Sequence, residues 1–139
     1  MRWTKSSAAY EIIGGIFIIP LLKNGGIFIT EQVGCDNDRD LVKMVLPNTE
    51  KPFPDLRLSI QKKIFEKAGF HIIEGNEAYR PIKFYDVGAF IRFAHIIEWE
   101  FPGFSVDKCL EALLEMQKKI DETGEIEGTI HRYLIVAKK

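Results

Sequence analysis

The residues of this chain that are best placed to do chemistry are two polar pairs associated with a predicted strand. Ile27–Val33 is a β-branched and aromatic run of strand length, and Glu31 and Gln32 lie near its carboxyl end. Open α/β sheets bind ligands at the carboxyl ends of their strands, so these two side chains are predicted to contact a substrate. Arg39 and Asp40 begin the next predicted helix and are predicted to reach the same substrate. The alternatives are that Glu31 and Gln32 only satisfy the following loop, and that Arg39 and Asp40 form a helix-terminal ion pair of little energetic value.

A second candidate group lies at the end of a later apolar helix. Glu98, Trp99, Glu100 and Phe101 alternate carboxylates with aromatic rings. This combination suits a cationic or amine ligand, because aromatic faces attract cations. A solvated helix end explains the same residues, and both interpretations stay open.

The histidines and cysteines do not predict a metal site. His71, His95 and His131 are far apart and lack a ligand spacing such as His-x-x-x-His. His95 lies among apolar residues and is predicted to be a packed core histidine. Cys35 and Cys109 are too few for a disulfide framework or a zinc site, so they are predicted to be reduced thiols of a cytoplasmic protein.

Length, composition and charge indicate one ordinary globular domain over residues 1–139. The chain is 46% hydrophobic and 28% charged, as folded domains are. The net charge of −1 gives no electrostatic reason to expect nucleic acid or an anionic membrane as a partner. Residues 12–22 are apolar but contain two glycines and a proline, and they are only about half as long as a membrane span. They are predicted to form a buried element, not a membrane span or a secretory signal.

Apolar periodicity and capping residues predict an alternation of strands and helices. The run at Ile27–Val33 is nearly all apolar, which predicts a strand covered on both faces. In the predicted helices, the helical spacing of the apolar residues predicts which side chains point inward. The first predicted elements are a short helix over 38–46, a helix that Asp55 caps and Gly69 ends, with Gln61 outward, and a strand over 70–74 with an extension over 78–85 broken by Pro81. A helix over 87–99, capped by Asp86, follows. The last predicted elements are a helix over 106–122, which Ser105 caps and Gly124 ends, with Leu110 and Leu114 on its apolar face, and a strand over 131–137.

A five-residue sequence, Gly-Gly-Ile-Phe-Ile, occurs at residues 14–18 and again at residues 25–29. The first copy lies in Ile12–Ile19, which has strand chemistry. The link between the copies is too short for a parallel crossover, so two strands in one sheet would pair as a hairpin.

Two short motifs indicate a family. Leu-Leu-Lys-Asn-Gly-Gly-Ile-Phe-Ile-Thr at residues 21–30 resembles the turn and fifth strand of class I S-adenosylmethionine-dependent methyltransferases, and Lys-Ala-Gly-Phe at residues 67–70 resembles the approach to their sixth strand. The resemblance covers residues 21–139, with a helical insert over about 86–124 similar to that of one bacterial subgroup, and leaves 1–20 as a divergent segment. It implies an α/β fold: the trailing strands of a Rossmann-like methyltransferase sheet, with the last strand antiparallel between the fifth and sixth.

The resemblance also implies what this chain lacks. Relatives hold S-adenosylmethionine with a glycine-rich turn and an acidic residue after the next strand, and neither Gly14-Gly15 nor Gly25-Gly26 has the third glycine or the following helix. The cofactor is therefore implied by resemblance alone, and none is expected to be bound by this chain. The chain is predicted to be the acceptor-side portion of a methyltransferase, inactive by itself. The alternatives are a non-enzymatic binding or oligomerisation module and one half of a split methyltransferase.

The missing half also predicts a partner. In the family the strand at Ile27–Val33 pairs with a fourth strand that this chain does not have, and an exposed apolar edge pairs or aggregates. A homodimer or a complementing cofactor-binding chain is expected, with Ile12–Ile19 folding back over the edge. The residues assigned to acceptor binding are Glu31, Gln32, Arg39, Asp40, Glu98 and Trp99.

Overall fold

A computed structural model describes residues 22–139, which form a mixed α/β fold. The strand predicted at Ile12–Ile19, and with it the predicted hairpin, lies outside the described residues. Within them are three strands and four helices: β1 Ile27–Val33, α1 Arg39–Val45, α2 Leu58–Lys67, β2 His71–Phe84, α3 Val87–Ile96, α4 Leu110–Thr123 and β3 Ile126–Lys138. All of the elements predicted within these residues are present, and their bounds differ by up to several residues.

The three strands form one antiparallel sheet in the order β1-β3-β2. The last strand of the chain, β3, therefore lies between the two earlier ones. Its register with β1 runs from Ile27 opposite Lys138 to Val33 opposite Arg132. Because β1 and β2 are both antiparallel to β3, they run parallel to each other on its two sides.

The expectation that β1 is covered on both faces is wrong. Its residues alternate between exposed and half-buried, and Ile27, Ile29 and Val33 are 48%, 63% and 39% exposed. An antiparallel sheet packs one face on a core and leaves the other accessible. The apolar sequence of β1 therefore leaves an apolar surface uncovered.

The expectation that Pro81 breaks the second strand is also wrong, because β2 runs unbroken for 14 residues. Proline cannot donate to a strand ladder, but β2 is the outer strand of the described sheet and has a side that needs no donor.

The described chain divides into two compact units, and β2 and β3 each pass through both. The first unit comprises residues 22–35, Phe53–Ala78 and His131–Lys139. Its core contains Phe28, Phe65 and Phe70, whose ring centroids lie 5.6–6.3 Å apart. The buried members of this core are Cys35, Leu56, Phe65, Phe70, Tyr133, Ile135 and Ala137.

The second unit comprises Asp36–Pro52 and Tyr79–Ile130. Its core is built on Phe90, which meets Phe84, Phe101 and Phe104 edge-on at centroid distances of 5.5–6.2 Å. Leu41 and Val42 of α1 and residues of α4 complete it: Leu113, Met116 and Ile120.

The helix ends show which capping predictions were correct. Asp86 caps α3, its Oδ1 accepting from the Ala89 amide at 2.8 Å, although the helix ends at Ile96 and not at residue 99. Gly69 and Gly124 end their helices with φ of 99° and 89°, as predicted. The Asp55 cap is wrong: Arg57 occupies the N-cap of α2, because a turn closed by Leu56 N and Phe53 O holds Asp55 before the helix.

Several side chains lie on faces other than those predicted. Gln61 is fully buried and donates from Nε2 to the Asp55 carbonyl at 3.1 Å, whereas an outward position was expected. Leu110 and Leu114 were expected inside but are 48% and 60% exposed. Ser105 caps only the turn before α4, accepting from Lys108 N at 3.1 Å. Among residues 22–139, every helix is too short or too polar to cross a bilayer.

Candidate functional site

In the first unit, Glu31 faces a small cleft and Gln32 does not. Glu31 is exposed and lines a cleft of about 130 Å³ with Glu77, Arg132 and neighbouring residues of β2 and β3. Gln32 is half-buried and donates from Nε2 to the Thr30 hydroxyl at 2.8 Å, within its own strand. Of this predicted pair, the structure therefore presents Glu31 to a possible ligand.

The histidine that is buried is His131, also in the first unit. Its imidazole is fully buried, with Nε2 2.6 Å from Oε1 of Glu77. A Cβ on Gly34 would lie 2.1 Å from His131 Nδ1, so the loop after β1 passes directly against the ring. The prediction for His95 is wrong: it is exposed, with its ring edge-on to Phe104 at 5.1 Å. The alternation of β3 was the usable signal, because His131 shares its buried face with Tyr133, Ile135 and Ala137.

In the second unit, Arg39 and Asp40 make separate structural contacts. The guanidinium of Arg39 donates to the carbonyl oxygens of Thr49 and Glu50. The carboxylate of Asp40 accepts from the amide of Thr129 at 3.1 Å and from its hydroxyl at 2.9 Å. These contacts tie α1 to the following loop and to the start of β3.

The most unusual polar arrangement of the second unit is a buried acid–amide cluster, formed by Asn37, Asp38 and Glu100. The side-chain amide nitrogen of Asn37 donates to Asp38 Oδ2 at 2.9 Å and to Glu100 Oε1 at 2.8 Å. The three residues are 7%, 1% and 6% exposed. One neutral amide thus bridges two carboxyl groups that carry two formal negative charges.

The loop after β1 holds this cluster in a strained but anchored conformation. Asp38 has φ of 56°, the one positive φ of a non-glycine residue among residues 22–139, and aspartate tolerates this region better than most. Its amide donates to the Thr129 carbonyl at 2.8 Å. The cluster therefore follows the carboxyl end of β1 directly, where the sequence predicted a ligand.

Glu100 has one side-chain oxygen without a hydrogen-bond partner among residues 22–139. Glu100 Oε2 is buried and accepts no hydrogen bond from residues 22–139. Leaving a buried charged acceptor unsatisfied costs about 1–3 kcal/mol or more. The Oε2 atom of Glu100 therefore makes the cluster costly to the free energy of folding.

Glu98 and Trp99 lie on the surface of the same unit. Glu98 lines a cleft of about 190 Å³ together with His95, Phe101 and Phe104. Trp99 is 56% exposed and is not among the residues that line the cleft. Asn37 and Asp38 were missed at the sequence level, and their position directly after a predicted strand was the signal that identifies them.

The turn at Gly25 and Gly26 does not have the form of a turn that binds S-adenosylmethionine. The turn at Gly25 and Gly26 is closed on itself: Gly26 N donates to Lys23 O at 2.8 Å and Gly25 N donates to Lys139 O at 3.1 Å. These amides are therefore not available to a ligand carboxylate or ribose. The turn also enters a strand and not a helix, so it lacks the context of a nucleotide-binding turn.

Comparison with known proteins gives a distant structural likeness. No protein-family profile matches this chain, and no curated protein matches it. Among solved structures it is similar to a protein of Bacillus halodurans described as a "putative methyltransferase", with 15% identity and a TM-score of 0.49. The match covers 95% of this chain and 57% of that one, so the chain spans little more than half of that structure's length.

Proposed function

We propose that this chain is the acceptor-side, trailing part of a class I S-adenosylmethionine-dependent methyltransferase. The observation that supports it is the strand order, in which β3 lies antiparallel between β1 and β2. Strands that follow one another in sequence are usually neighbours, so a final strand inserted between two earlier parallel ones is a specific topology. It is the topology that the motifs at residues 21–30 and 67–70 imply.

The methyl donor is bound, on this proposal, by a half that this chain does not supply. The backbone amides of Gly25 and Gly26 bond within the chain, which supports a donor site elsewhere. β1 is the outer strand of the described sheet and exposes Ile27 and Ile29. Within residues 22–139 the outer edge of β1 pairs with no strand, and such an edge is a template for another strand, which supports docking of a cofactor-binding half along β1.

For acceptor binding, the proposal assigns residues in each unit taken by itself. In the first unit the proposal assigns Glu31, which faces a cleft, and keeps Gln32 beside it. In the second unit it assigns Glu98 and Trp99. Arg39 and Asp40 are proposed to position the loop after β1, because their contacts hold α1 in place.

The DNA upstream of Met1 provides the first test. A glycine-rich strand–turn–helix encoded there, in frame or shifted, or in an adjacent gene, supports the proposal and names the complementing half. That half is then co-expressed with this chain, and a stable one-to-one complex is expected on size exclusion. Upstream DNA that encodes no such element, together with failure to complex with any class I donor-binding half, would contradict the proposal.

An oligomerisation module is the second candidate, favoured by a different surface. Leu110 and Leu114 at the start of α4 are 48% and 60% exposed, and Val106 in the turn before the helix is 39% exposed. The four-residue spacing puts the two leucines on one side of α4, which suits an apolar interface. In that case the helical insert associates with a second copy and the chain has no enzymatic role.

A further inference from the structure

We infer that the cleft at the carboxyl end of α3 binds a small zwitterion, a free amino acid with a short aliphatic side chain. The cleft lies within the second unit and has a volume of about 190 Å³. Its lining residues are Ala94, His95, Glu98, Phe101, Gly103 and Phe104. His95 and Glu98 are exposed, so the cleft opens to solvent and a ligand has access to it. A water molecule takes up about 30 Å³ in the liquid, so the cleft has room for a ligand of amino-acid size.

Two opposite charges flank this cleft without pairing with each other. The carboxylate of Glu98 lines it. The ammonium group of Lys108 lies beside Gly103, because a Cβ built on that glycine would be 3.6 Å from Lys108 Nζ. Among residues 22–139, neither charged group has an ion-pair partner, and neither side chain makes a hydrogen bond. The cleft therefore presents one hydrogen-bond acceptor and one donor of opposite charge to a ligand.

Backbone geometry fixes the turn that carries the Lys108 side of the cleft. Phe104 N donates to Phe101 O at 3.1 Å, and Lys108 N donates to Ser105 Oγ at 3.1 Å. Gly103 has φ of 70°, which glycine adopts without strain. The turn thus holds the backbone of the cleft next to the Lys108 ammonium group.

The rest of the lining is neutral and largely aromatic. Ala94 and Phe101 are fully buried and Phe104 is 8% exposed, so they form an apolar floor. The imidazole of His95 lies edge-on to the ring of Phe104, with the centroids 5.1 Å apart. Such a floor suits a short aliphatic side chain, which contacts the rings while the charged groups of the ligand stay at the rim.

The pair of charges disfavours simpler ligands. An anion that is drawn to Lys108 also meets the like charge of Glu98, and an amine that is drawn to Glu98 meets Lys108. A zwitterion forms a charge-assisted hydrogen bond with each of them. A metal ion is disfavoured because, among residues 22–139, neither His95 nor Glu98 belongs to a group of three metal-ligating side chains within 4.8 Å of one another.

The inference concerns binding, and only the role of this ligand as the methyl acceptor rests on the proposed function. That proposal already assigns Glu98 to acceptor binding. The cleft adds a substrate class to it: a small amino acid whose ammonium group lies at Glu98 and whose carboxylate lies at Lys108.

The test uses the full chain alone and needs no methyl donor. L-Valine is titrated into the isotope-labelled chain at neutral pH and constant ionic strength, and the amide resonance of Gly103 is followed by NMR. Isovalerate keeps the carboxylate and the side chain but lacks the ammonium group, whereas isobutylamine keeps the ammonium group but lacks the carboxylate. We expect a saturable shift with L-valine, at a dissociation constant in about the millimolar range. Each control leaves one charge of the cleft without a partner and is expected to bind at least about tenfold more weakly.

Two substitutions test the two charges separately. Glu98→Gln is expected to weaken L-valine binding by about tenfold without weakening isovalerate binding. Lys108→Met is expected to weaken L-valine binding by about tenfold without weakening isobutylamine binding. Glu66→Gln and Lys63→Met, at exposed side chains of α2 in the first unit, are matched controls and are expected to bind L-valine like the wild type.

Three results would each overturn the inference: L-valine binding no tighter than that of isovalerate or isobutylamine, wild-type affinity in Glu98→Gln or Lys108→Met, and no saturable shift up to about 0.1 M. If a variant does not fold, the comparison of the three ligands on the wild type decides. L-Valine binding by a chain that forms no complex with a donor half would keep the cleft assigned and reject the methyltransferase proposal. A complex with a donor half that does not bind L-valine would do the reverse.

Discussion

The contact between Gly34 and His131 is the residue-scale feature on which the first unit most depends. The imidazole is fully buried and its Nε2 is held 2.6 Å from Glu77, so it has little room to move. A methyl group at Gly34 would lie 2.1 Å from Nδ1. Gly34→Ala is therefore expected to lower the free energy of unfolding by about 3 kcal/mol or more, the upper range for overpacking a core.

Urea denaturation followed by circular dichroism measures this loss. The matched control is Gly75→Ala in β2, where the new methyl group meets side-chain atoms of Leu58 and Lys62 at 3.2 and 3.3 Å. The flexible side chains of Leu58 and Lys62 can move away by the few tenths of an ångström that these contacts require. The control is therefore expected to change the free energy of unfolding by less than about 1 kcal/mol. Equal effects of the two substitutions would show that the imidazole moves freely.

The ion pair between Lys83 and Glu125 gives the second unit a pH-dependent contribution to stability. Its Nζ lies 2.9 Å from Glu125 Oε2, and the hydrogen bond and charge of that carboxylate raise the pKa of Lys83 above its ordinary 10.5. A lysine whose pKa is raised by folding contributes its full stabilisation at every pH below its pKa in the unfolded chain. This contribution is lost as the pH rises through its pKa in the folded protein. Lys83→Met is expected to lower the unfolding midpoint slightly at pH 7. The difference should disappear in strongly alkaline buffer, and a difference independent of pH would contradict the assignment.

At the scale of elements, local signals in the sequence predicted most of the fold. Apolar periodicity located every strand and helix of residues 22–139, and Asp86, Gly69 and Gly124 marked ends correctly because capping depends on a few adjacent residues. Burial was less predictable, since it depends on which elements pack together. Gln61 is buried and Leu114 is exposed, although helical phase alone indicated the reverse.

The acid–amide cluster was not predicted from the sequence. It follows β1 in the chain, but it joins Asn37 to Glu100, which lies 63 residues away in sequence. No local pattern encodes such a contact. His131 was not predicted to be buried either, although strand alternation could have indicated it, because it shares the buried face of β3 with Tyr133, Ile135 and Ala137.

The cap of α3 gives an element-scale prediction. Asp86 Oδ1 accepts from Ala89 N at 2.8 Å, whereas Ser105 caps a turn that precedes α4. Asp86→Ala is expected to destabilise the chain by about 1 kcal/mol, the usual loss for an N-cap. Ser105→Ala should cost less, because α4 begins only at Leu110 and keeps its own backbone bonds. Thermal denaturation of both variants measures the difference, and a larger loss for Ser105→Ala would reverse this interpretation of the two helix starts.

At the scale of the whole molecule, the two proposals place a partner chain on different exposed apolar surfaces. Ile29 on β1 is 63% exposed and Leu114 on α4 is 60% exposed. The methyltransferase proposal places the partner along β1, whereas the oligomerisation module places it on α4. Lysine at either position puts a charge into an apolar contact, so the same substitution at the two sites separates the proposals.

Light scattering over a range of concentrations provides the measurement. If a homodimer forms through β1, Ile29→Lys is expected to give a monomeric mass and Leu114→Lys to leave the dimer intact. The reverse result would favour the oligomerisation module. A wild type that stays monomeric at high concentration would exclude the homodimer and leave a complementing chain as the partner along β1.

The methyltransferase proposal depends on a donor half, because both amides of the Gly25-Gly26 turn already bond within the chain. A ligand that binds only the folded state stabilises it by about 2.7 kcal/mol at a hundredfold excess over its dissociation constant, which raises the melting temperature. Because this chain is proposed not to bind the donor by itself, millimolar S-adenosylhomocysteine is expected to leave its melting temperature unchanged. In complex with a glycine-rich half, the melting temperature should rise above that of the half with ligand alone, because β1 then completes the sheet. Micromolar, one-to-one binding by the isolated chain in isothermal titration would show that a donor pocket exists within these 139 residues.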